Sequence, residues 1–145
     1  MISIRKAREA DIPAVHNIVS ENLKEEYEPN MLAQFAQAWP EGSLVAEDMG
    51  KVFGYLLAVL PSPYEARVLL LVVVPSQRNR GTGAMMLASL LNQCALIGLK
   101  SISLEVRVSN PGAIRFYAKF GFGVNAILKK YYRDGEDAYL MRKVV

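Results

Sequence analysis

The sequence has one cysteine and one histidine among its 145 residues, which removes most disulfide and metal-site chemistry. A single cysteine excludes a disulfide within the chain, and the apolar neighbours of Cys94 predict a buried structural thiol. His16 is expected on the surface of the first helix, and a lone histidine argues against both a His/Cys zinc site and a Ser-His-Asp triad. We therefore expect no bound metal.

Long apolar runs and blocks of one charge are also missing. The longest apolar run, residues 68–74, is far too short to cross a bilayer and is typical of a buried strand. Arg5, Lys6 and Arg8 interrupt any apolar segment at the N-terminus, so we expect no signal peptide, a cytoplasmic location and no membrane partner. A net charge of +3 without a Lys/Arg run favours small anionic ligands and gives no reason to expect a nucleic-acid partner.

The composition, with 52% hydrophobic and 21% charged residues, is that of an ordinary packed protein. A chain of this length fits a single domain, residues 1–145, that buries about 70% of its unfolded surface. Apolar patterns predict strands at residues 2–6, 44–47, 52–60, 66–74, 102–106, 122–128 and 138–143. Helical spacing predicts helices at residues 12–23, 31–39, 84–97 and 110–120. This order predicts an α/β fold with a mixed parallel and antiparallel sheet flanked by about four helices, with Pro61-Ser62-Pro63 as a rigid loop between two strands.

The segment from Arg78 to Gly83, which we call the glycine loop, joins the longest apolar strand to a helix. Backbone N–H groups at the start of a helix are unpaired and carry positive partial charge, so they attract phosphate groups. Gly81 lets a ligand approach the backbone closely, and Arg80 adds formal charge. The pattern predicts an anion site, although an ordinary strand-to-helix turn with solvated arginines has the same spacing.

Three kinds of phosphate-binding loop compete for this segment. A P-loop needs Lys and then Ser or Thr after its last glycine, whereas Ala84 and Met85 follow Gly83. A dinucleotide fold needs a small residue where Met86 stands and glycines directly after the strand; Glu105 lies at a suitable distance for a ribose contact, so this alternative stays open. The acyl-coenzyme A loop, Arg/Gln-x-x-Gly-x-Gly/Ala, fits Arg78-Asn79-Arg80-Gly81-Thr82-Gly83 without a mismatch.

With this loop in place, the chain resembles the GNAT-superfamily N-acetyltransferases. The family's second conserved block resembles Ser109-Asn110-x-x-Ala113-x-x-x-Tyr117-x-x-x-Gly121-Phe122. Two further segments, residues 104–110 and 131–141, resemble the protein N-terminal acetyltransferases of the RimI and archaeal NatA kind. The glycine loop by itself identifies only the superfamily. The resemblance implies a GNAT fold over residues 1–145 and acetyl-CoA as the co-substrate.

The resemblance also implies how acetyl-CoA is held. In the family the strand before the glycine loop splays away from its neighbour, and its backbone lines the pantetheine arm and the acetyl carbonyl. Leu71, Val72 and Val73 take this place here. The diphosphate is expected at the glycine loop and the first turn of the helix: Arg78, Asn79, Arg80, Gly81, Thr82, Gly83 and Ala84. Asn110 and Tyr117 are expected to contact the coenzyme.

Two residues are candidates for proton transfer. Glu105 is a carboxylate in an otherwise apolar strand and is assigned by the resemblance as the general base, acting directly or through a water. Read from the strand pattern alone, it is a solvent-facing residue. Tyr117 is assigned as the proton donor to the departing thiolate, although a tyrosine on an amphipathic helix is more often a packing residue. Arg67 stands where the archaeal relatives have a histidine, so we expect no second base and a Glu105 that works more alone.

The acceptor side is predicted from the same resemblance, with Glu26 and Tyr27 on one wall and Tyr131 and Tyr132 on the other. A hydrated loop around Glu26 is the alternative. An α-amino group has a pKa of about 8 against about 10.4 for lysine, so far more of it is neutral near pH 7. We therefore predict acetylation of the N-terminus of a ribosomal protein or of nascent chains by a monomer or homodimer. A small amine such as a polyamine or antibiotic, or a non-catalytic acetyl-CoA-binding module, remains the alternative.

Overall fold

A computed structural model describes all 145 residues and contains one seven-stranded sheet with the spatial order β1-β2-β3-β4-β5-β7-β6. The strands are β1 Ser3–Lys6, β2 Ser43–Asp48, β3 Lys51–Ser62, β4 Glu65–Val73, β5 Ser101–Arg107, β6 Gly123–Leu128 and β7 Ala138–Val144. The helices are α1 Ile12–Asn22, α2 Pro29–Ala38, α3 Thr82–Leu96 and α4 Pro111–Lys119. Only β4 and β5 pair in parallel, because α3 carries the chain back across the sheet between them. The predicted mixed sheet with four helices is confirmed.

The sheet separates two apolar clusters. On one face α3 packs Met86, Leu87 and Leu90 against the strands, and on the other face α1 and α2 pack Val15 and Leu32. Neighbouring residues along a strand point to opposite faces, so β3 serves both clusters at once. The predicted buried thiol is confirmed: Cys94 lies in the α3 cluster, and burial raises the pKa of its thiol to about 11.

A β-bulge in β4 changes which face its side chains reach. Leu57 of β3 pairs with Leu70, and Ala58 pairs with Val68, so Leu69 is the extra residue. Residues two apart in a regular strand face the same side of the sheet. Val68, before the bulge, packs in the α3 cluster, whereas Leu70 packs in the cluster of α1 and α2. The bulge therefore reverses the inward and outward sides of β4 halfway along the strand.

The pairing between β4 and β5 stops at the same point. It runs from Glu65↔Ser101 to Val68↔Leu104, although β4 continues to Val73 and β5 to Arg107. We call this separation the β4–β5 splay. The splay expected from the resemblance is present, and it leaves the second half of β4 without a strand neighbour on the side of β5.

Several predicted boundaries differ from the observed ones by one or two residues, and two of these differences have a clear structural cause. Pro61 and Ser62 belong to β3 and not to a loop, and only Pro63 and Tyr64 form the turn to β4. Pro61 is tolerated because β2 pairs with β3 only as far as Leu57, so the missing N–H breaks no bond to β2. Helix α3 begins at Thr82, two residues before the predicted start, because Gly81 takes the left-handed conformation that forms its N-cap. No helix of the protein combines the length and apolar character that a bilayer-spanning segment requires.

Helix α3 allows a matched test of the core. Leu90 is fully buried and Leu96, on the same helix, is 75% exposed. We expect Leu90→Ala to lower the free energy of unfolding by about 3 kcal/mol, because it leaves a cavity under the sheet, and Leu96→Ala to lower it by less than about 0.5 kcal/mol. Urea unfolding measures both. Equal losses in the two variants would contradict this packing of α3.

Candidate active site

The β4–β5 splay opens into a cavity of about 860 Å³. Four segments and one helix face form its wall: residues 22–27, 67–71, 104–107 and 131–134, with Asn110, Ala113 and Tyr117 of α4. The wall therefore combines the loop between α1 and α2, the two diverging strands and the loop between β6 and β7. All the catalytic and acceptor-side residues predicted from the sequence lie on it.

The glycine loop presents a row of unpaired N–H groups. The first helical hydrogen bond of α3 runs from the Met85 N–H to the Gly81 carbonyl at 3.0 Å, and the six N–H groups of residues 79–84 have no partner in the protein. Asn79 and Gly81 both have positive φ, at 66° and 75°. Alternation of such residues with ordinary ones turns successive N–H groups toward one side and makes a concave anion site. The helix dipole adds to it, so this geometry fits a phosphate or diphosphate group.

The side chains of the loop contribute unequally. Arg78 Nε donates to the Val73 carbonyl at 3.1 Å, and Arg80 Nη2 lies 3.5 Å from an Asp48 carboxylate oxygen. Both arginines are exposed, so both place positive charge at the rim. The Thr82 side chain is buried, which leaves only its N–H to face a ligand.

Of the three strand residues expected along the pantetheine arm, only Leu71 lies on the cavity wall. Val72 packs in the cluster of α1 and α2, and Val73 packs against the α3 cluster. Leu69 and Leu70, which the sequence did not single out, lie on the wall as well. The bulge at Leu69 explains this shift, because it turns the strand where the splay begins.

Glu105 lies at the centre of a polar cluster. Arg67 Nη2 is 3.0 Å from Glu105 Oε1 and Arg67 Nε donates to Oε2 at 3.2 Å, so one guanidinium holds both carboxylate oxygens. Arg67 Nη2 also donates to the Tyr131 hydroxyl at 2.8 Å. Burial, with Glu105 nearby, raises the pKa of Tyr131. The Glu105 side chain is 13% exposed, so it is not the solvent-facing residue of the alternative reading.

Sequence reasoning did not predict that Arg67, which stands in place of the second base, contacts Glu105. The register pairs Arg67 with Ser103, two residues before Glu105, and so places both charged side chains on the same face of the sheet at the last rungs before the splay. The sequence separation of 38 residues gave no sign of this contact.

Tyr117 reaches the cavity from α4. Its hydroxyl makes no hydrogen bond to another protein group, and burial raises its pKa well above the usual range. Asn110, Ala113 and Tyr117 share one face, and all three line the cavity. The Asn110 oxygen accepts a bond from the Ala113 N–H at 3.1 Å and caps α4, which leaves its amide N–H groups for a ligand.

The two predicted acceptor walls are held together by a residue that sequence reasoning missed. Arg107 Nη2 lies 2.8 Å from Glu25 in the α1–α2 loop, and Nη1 lies 2.8 Å from both Asp134 and Glu136 in the β6–β7 loop. Its guanidinium carbon is 3.9 Å from the centre of the Tyr132 ring. Side chains alternate along β5, so Arg107 lies on the same face as Glu105. This alternation is the feature of the sequence that could have indicated Arg107 as a site residue.

Glu26 and Tyr27 lie on the first wall, and Tyr131 and Tyr132 lie on the second. The two Tyr rings of the second wall meet edge to face at 5.1 Å. Burial raises the pKa of Tyr27, and it raises that of Tyr132 to about 12. No group of three His, Cys, Asp or Glu side chains is arranged to hold a metal ion. The arrangement thus offers a carboxylate and protonated hydroxyls at the β4–β5 splay, and an anion site at the glycine loop that follows β4.

Comparisons with known proteins agree with this geometry. The acetyltransferase (GNAT) family model matches residues 12–122. The chain is 38% identical over 141 residues to an uncharacterized N-acetyltransferase of Methanocaldococcus jannaschii, covering 97% of this chain and 90% of that protein. It is 36% identical over 150 residues to the catalytic subunit ard1 of the N-terminal acetyltransferase A complex of Schizosaccharomyces pombe, covering 98% and 85%. The crystal structure of Ard1 from Thermoplasma volcanium matches with a TM-score of 0.95 at 35% identity, covering 99% of this chain and 97% of that one.

The family match spans the strands, the glycine loop and the helix that build the cavity. The relatives also confirm the predicted resemblance to N-terminal acetyltransferases, because their similarity extends over nearly the whole chain. An acetyltransferase of this fold is what the sequence motifs predicted. The chain therefore belongs to the GNAT family of acetyltransferases.

Proposed function

We propose that residues 1–145 form one acetyltransferase domain that transfers acetyl from acetyl-CoA to the α-amino group of a protein N-terminus. The observation that carries the proposal is the splayed second half of β4, which runs from the Arg67–Glu105 pair toward the six unpaired N–H groups of the glycine loop. The related proteins named as N-terminal acetyltransferases support the choice of acceptor.

The residues present fit the coenzyme. The N–H groups of residues 79–84, with Arg78 and Arg80 beside them, match a diphosphate in charge and in hydrogen-bond capacity. The unpaired edge of β4 after Leu69 offers main-chain groups to an amide-containing arm. When bound, the thioester supplies an acetyl group activated for attack by an amine.

Proton movement is assigned to two side chains at the cavity. Glu105 takes the proton that the attacking nitrogen loses, directly or through a water. Tyr117 donates a proton to the departing sulfur, which forms a thiol as the new amide bond forms and the thioester bond breaks. The raised pKa of Tyr117 keeps its hydroxyl protonated at neutral pH, as a donor requires.

The acceptor is placed between the two walls joined by Arg107. Glu26 and Tyr27 stand on one side, and Tyr131 and Tyr132 stand on the other. In this proposal an extended chain enters between these loops with its first residue foremost. An α-amino group needs only a modest base because about a tenth of it is already neutral near pH 7.

A peptide panel tests this acceptor choice. We expect acetyl transfer, followed by peptide mass, to modify short peptides with free N-termini that differ at their first two residues. N-terminally blocked peptides with an internal lysine should react at least about tenfold more slowly, since less of the lysine amine is neutral. Equal rates on both, or turnover of polyamines and aminoglycosides alone, would contradict an N-terminal acceptor. Binding of acetyl-CoA without thiol release from any amine would indicate a non-catalytic module.

The anion site is tested by Ala84→Asp in the first turn of α3. The new carboxylate should stabilise the helix by about 0.3–1 kcal/mol through the dipole while repelling a diphosphate, so affinity for acetyl-CoA should fall at least about tenfold. Calorimetry measures the affinity. Ala88→Asp, the same change one turn later on an exposed position, should leave it unchanged. Acetyl-pantetheine, which lacks the diphosphate, should bind both variants with the same affinity. Equal acetyl-CoA affinity in Ala84→Asp and the wild type would contradict a diphosphate site at the start of α3.

Glu105→Gln tests the base. The amide keeps the shape of the side chain but accepts no proton, so kcat should fall about 100-fold while acetyl-CoA affinity changes by less than about twofold. Steady-state rates and calorimetry separate the two effects. Glu65→Gln is the matched control, because Glu65 lies on β4 outside the cavity and accepts a bond from the Ser101 hydroxyl at 2.9 Å. An undiminished rate in Glu105→Gln would assign the base to another group.

A further inference from the structure

The carboxylates on the cavity wall are almost all paired with arginines. Arg107 binds Glu25 and Asp134, and Arg67 binds both oxygens of Glu105. Glu26 alone has no such partner. In a cavity that receives an amine, the charge of most carboxylates is thus already offset by guanidinium groups. At the β4–β5 splay, Arg67 offsets the charge of Glu105.

This pairing matters because an amine attacks only after it has lost its proton. An unpaired carboxylate a few ångströms from an ammonium group stabilises the charged form and raises the pKa of the amine by about one unit or more. A guanidinium that holds the same carboxylate reduces this effect, since the two charges act on the amine with opposite signs. The two bonds from Arg67 also fix the Glu105 carboxylate at the point where the pairing between β4 and β5 has ended.

We propose that Arg67 is a positioning residue for the acetyl transfer, which holds Glu105 at the splay and offsets its charge so that the acceptor amine reacts in its neutral form. The inference rests on the proposed function, because it requires an amine beside Glu105. Arg67 contacts Glu105 and Tyr131 and is not itself assigned a proton.

Other charged and titratable groups face this pair from every surrounding element. They are Lys24, Glu25, Glu26 and Tyr27 from the α1–α2 loop, Tyr131, Tyr132, Arg133 and Asp134 from the β6–β7 loop, Arg107 from β5 and Tyr117 from α4. Glu25 and Asp134 are held by Arg107, and the tyrosines are neutral near pH 7. Arg67 is therefore the only cation bonded to Glu105.

The pH dependence of kcat tests the inference, with acetyl-CoA and a five-residue peptide that begins with Ala and has no charged side chain. In Arg67→Met the unpaired Glu105 should stabilise the ammonium, so the acidic limb should move to higher pH by about one unit. The rate should then fall about tenfold at pH 7 and recover toward the wild-type value near about pH 9.5. Arg67→Lys keeps the positive charge but cannot bond both carboxylate oxygens of Glu105 side by side. The acidic limb of its pH profile should therefore stay at the wild-type pH, while kcat falls at every pH.

Three further variants make the result decisive. The double variant Arg67→Met/Glu105→Gln removes both charges. The acidic limb of its pH profile should have the wild-type midpoint, although its kcat should be low. Arg133→Met removes an arginine from the same wall that is not bonded to Glu105, and should move the midpoint by less than half as much. If Arg67→Met does not fold, which thermal unfolding shows, Arg67→Gln carries the same expectation.

The outcomes separate the two proposals. An active wild type with the same midpoint in the uncharged Arg67 variants would overturn the role of Arg67 and leave the proposed function intact. An equal shift in Arg133→Met would also overturn it, because the field of the cavity and not the pair would then be responsible. A wild type that acetylates no peptide would overturn the proposed function, and the role of Arg67 with it.

Discussion

The site depends on one interruption of the sheet, where β4 and β5 cease to pair after Val68 and Leu104. Backbone groups of a central strand are normally bonded on both sides, and a strand that gives up one partner leaves groups that must be satisfied by something else. The bulge at Leu69 makes the interruption possible, because it turns β4 and anchors its second half under α1 and α2 through Leu70. The cavity is thus supported by both cores of the protein and does not depend on loops alone.

This arrangement separates two sites of opposite charge preference, one in the loop that follows β4 and one beside its first half. At the end of β4 the unpaired N–H groups before Met85 make a positive site with nothing to neutralise it. Near its middle, Arg67 and Arg107 bring four carboxylates of the wall and its rim into ion pairs. A ligand with an anionic end and a neutral end therefore has only one favourable direction along β4. Strand β4 sets that direction because Arg67 lies in its first half and the glycine loop follows its end.

The sequence predicted the parts of this design that are local. The strand and helix patterns, the buried Cys94 and the unpaired N–H groups at the start of α3 all follow from the side-chain period and from a glycine at a helix start. What it could not predict depends on register and long-range contact. The partners in the Arg67–Glu105 pair are 38 residues apart, and those in the Arg107–Glu25 pair are 82 residues apart. The sequence around each residue does not predict its partner.

The ion pairs also bear on which amines the cavity suits. A polyamine carries several positive charges that stay in water unless each finds an anionic partner, and removing an unpaired charge from water is costly. Of the carboxylates on the wall, only Glu26 has no arginine partner, so the cavity can compensate about one cationic group. The aromatic rings of Tyr131 and Tyr132 on the wall instead suit an extended chain with apolar and amide groups. The pairing of its acids therefore favours an acceptor with a single amine, as at the start of a polypeptide.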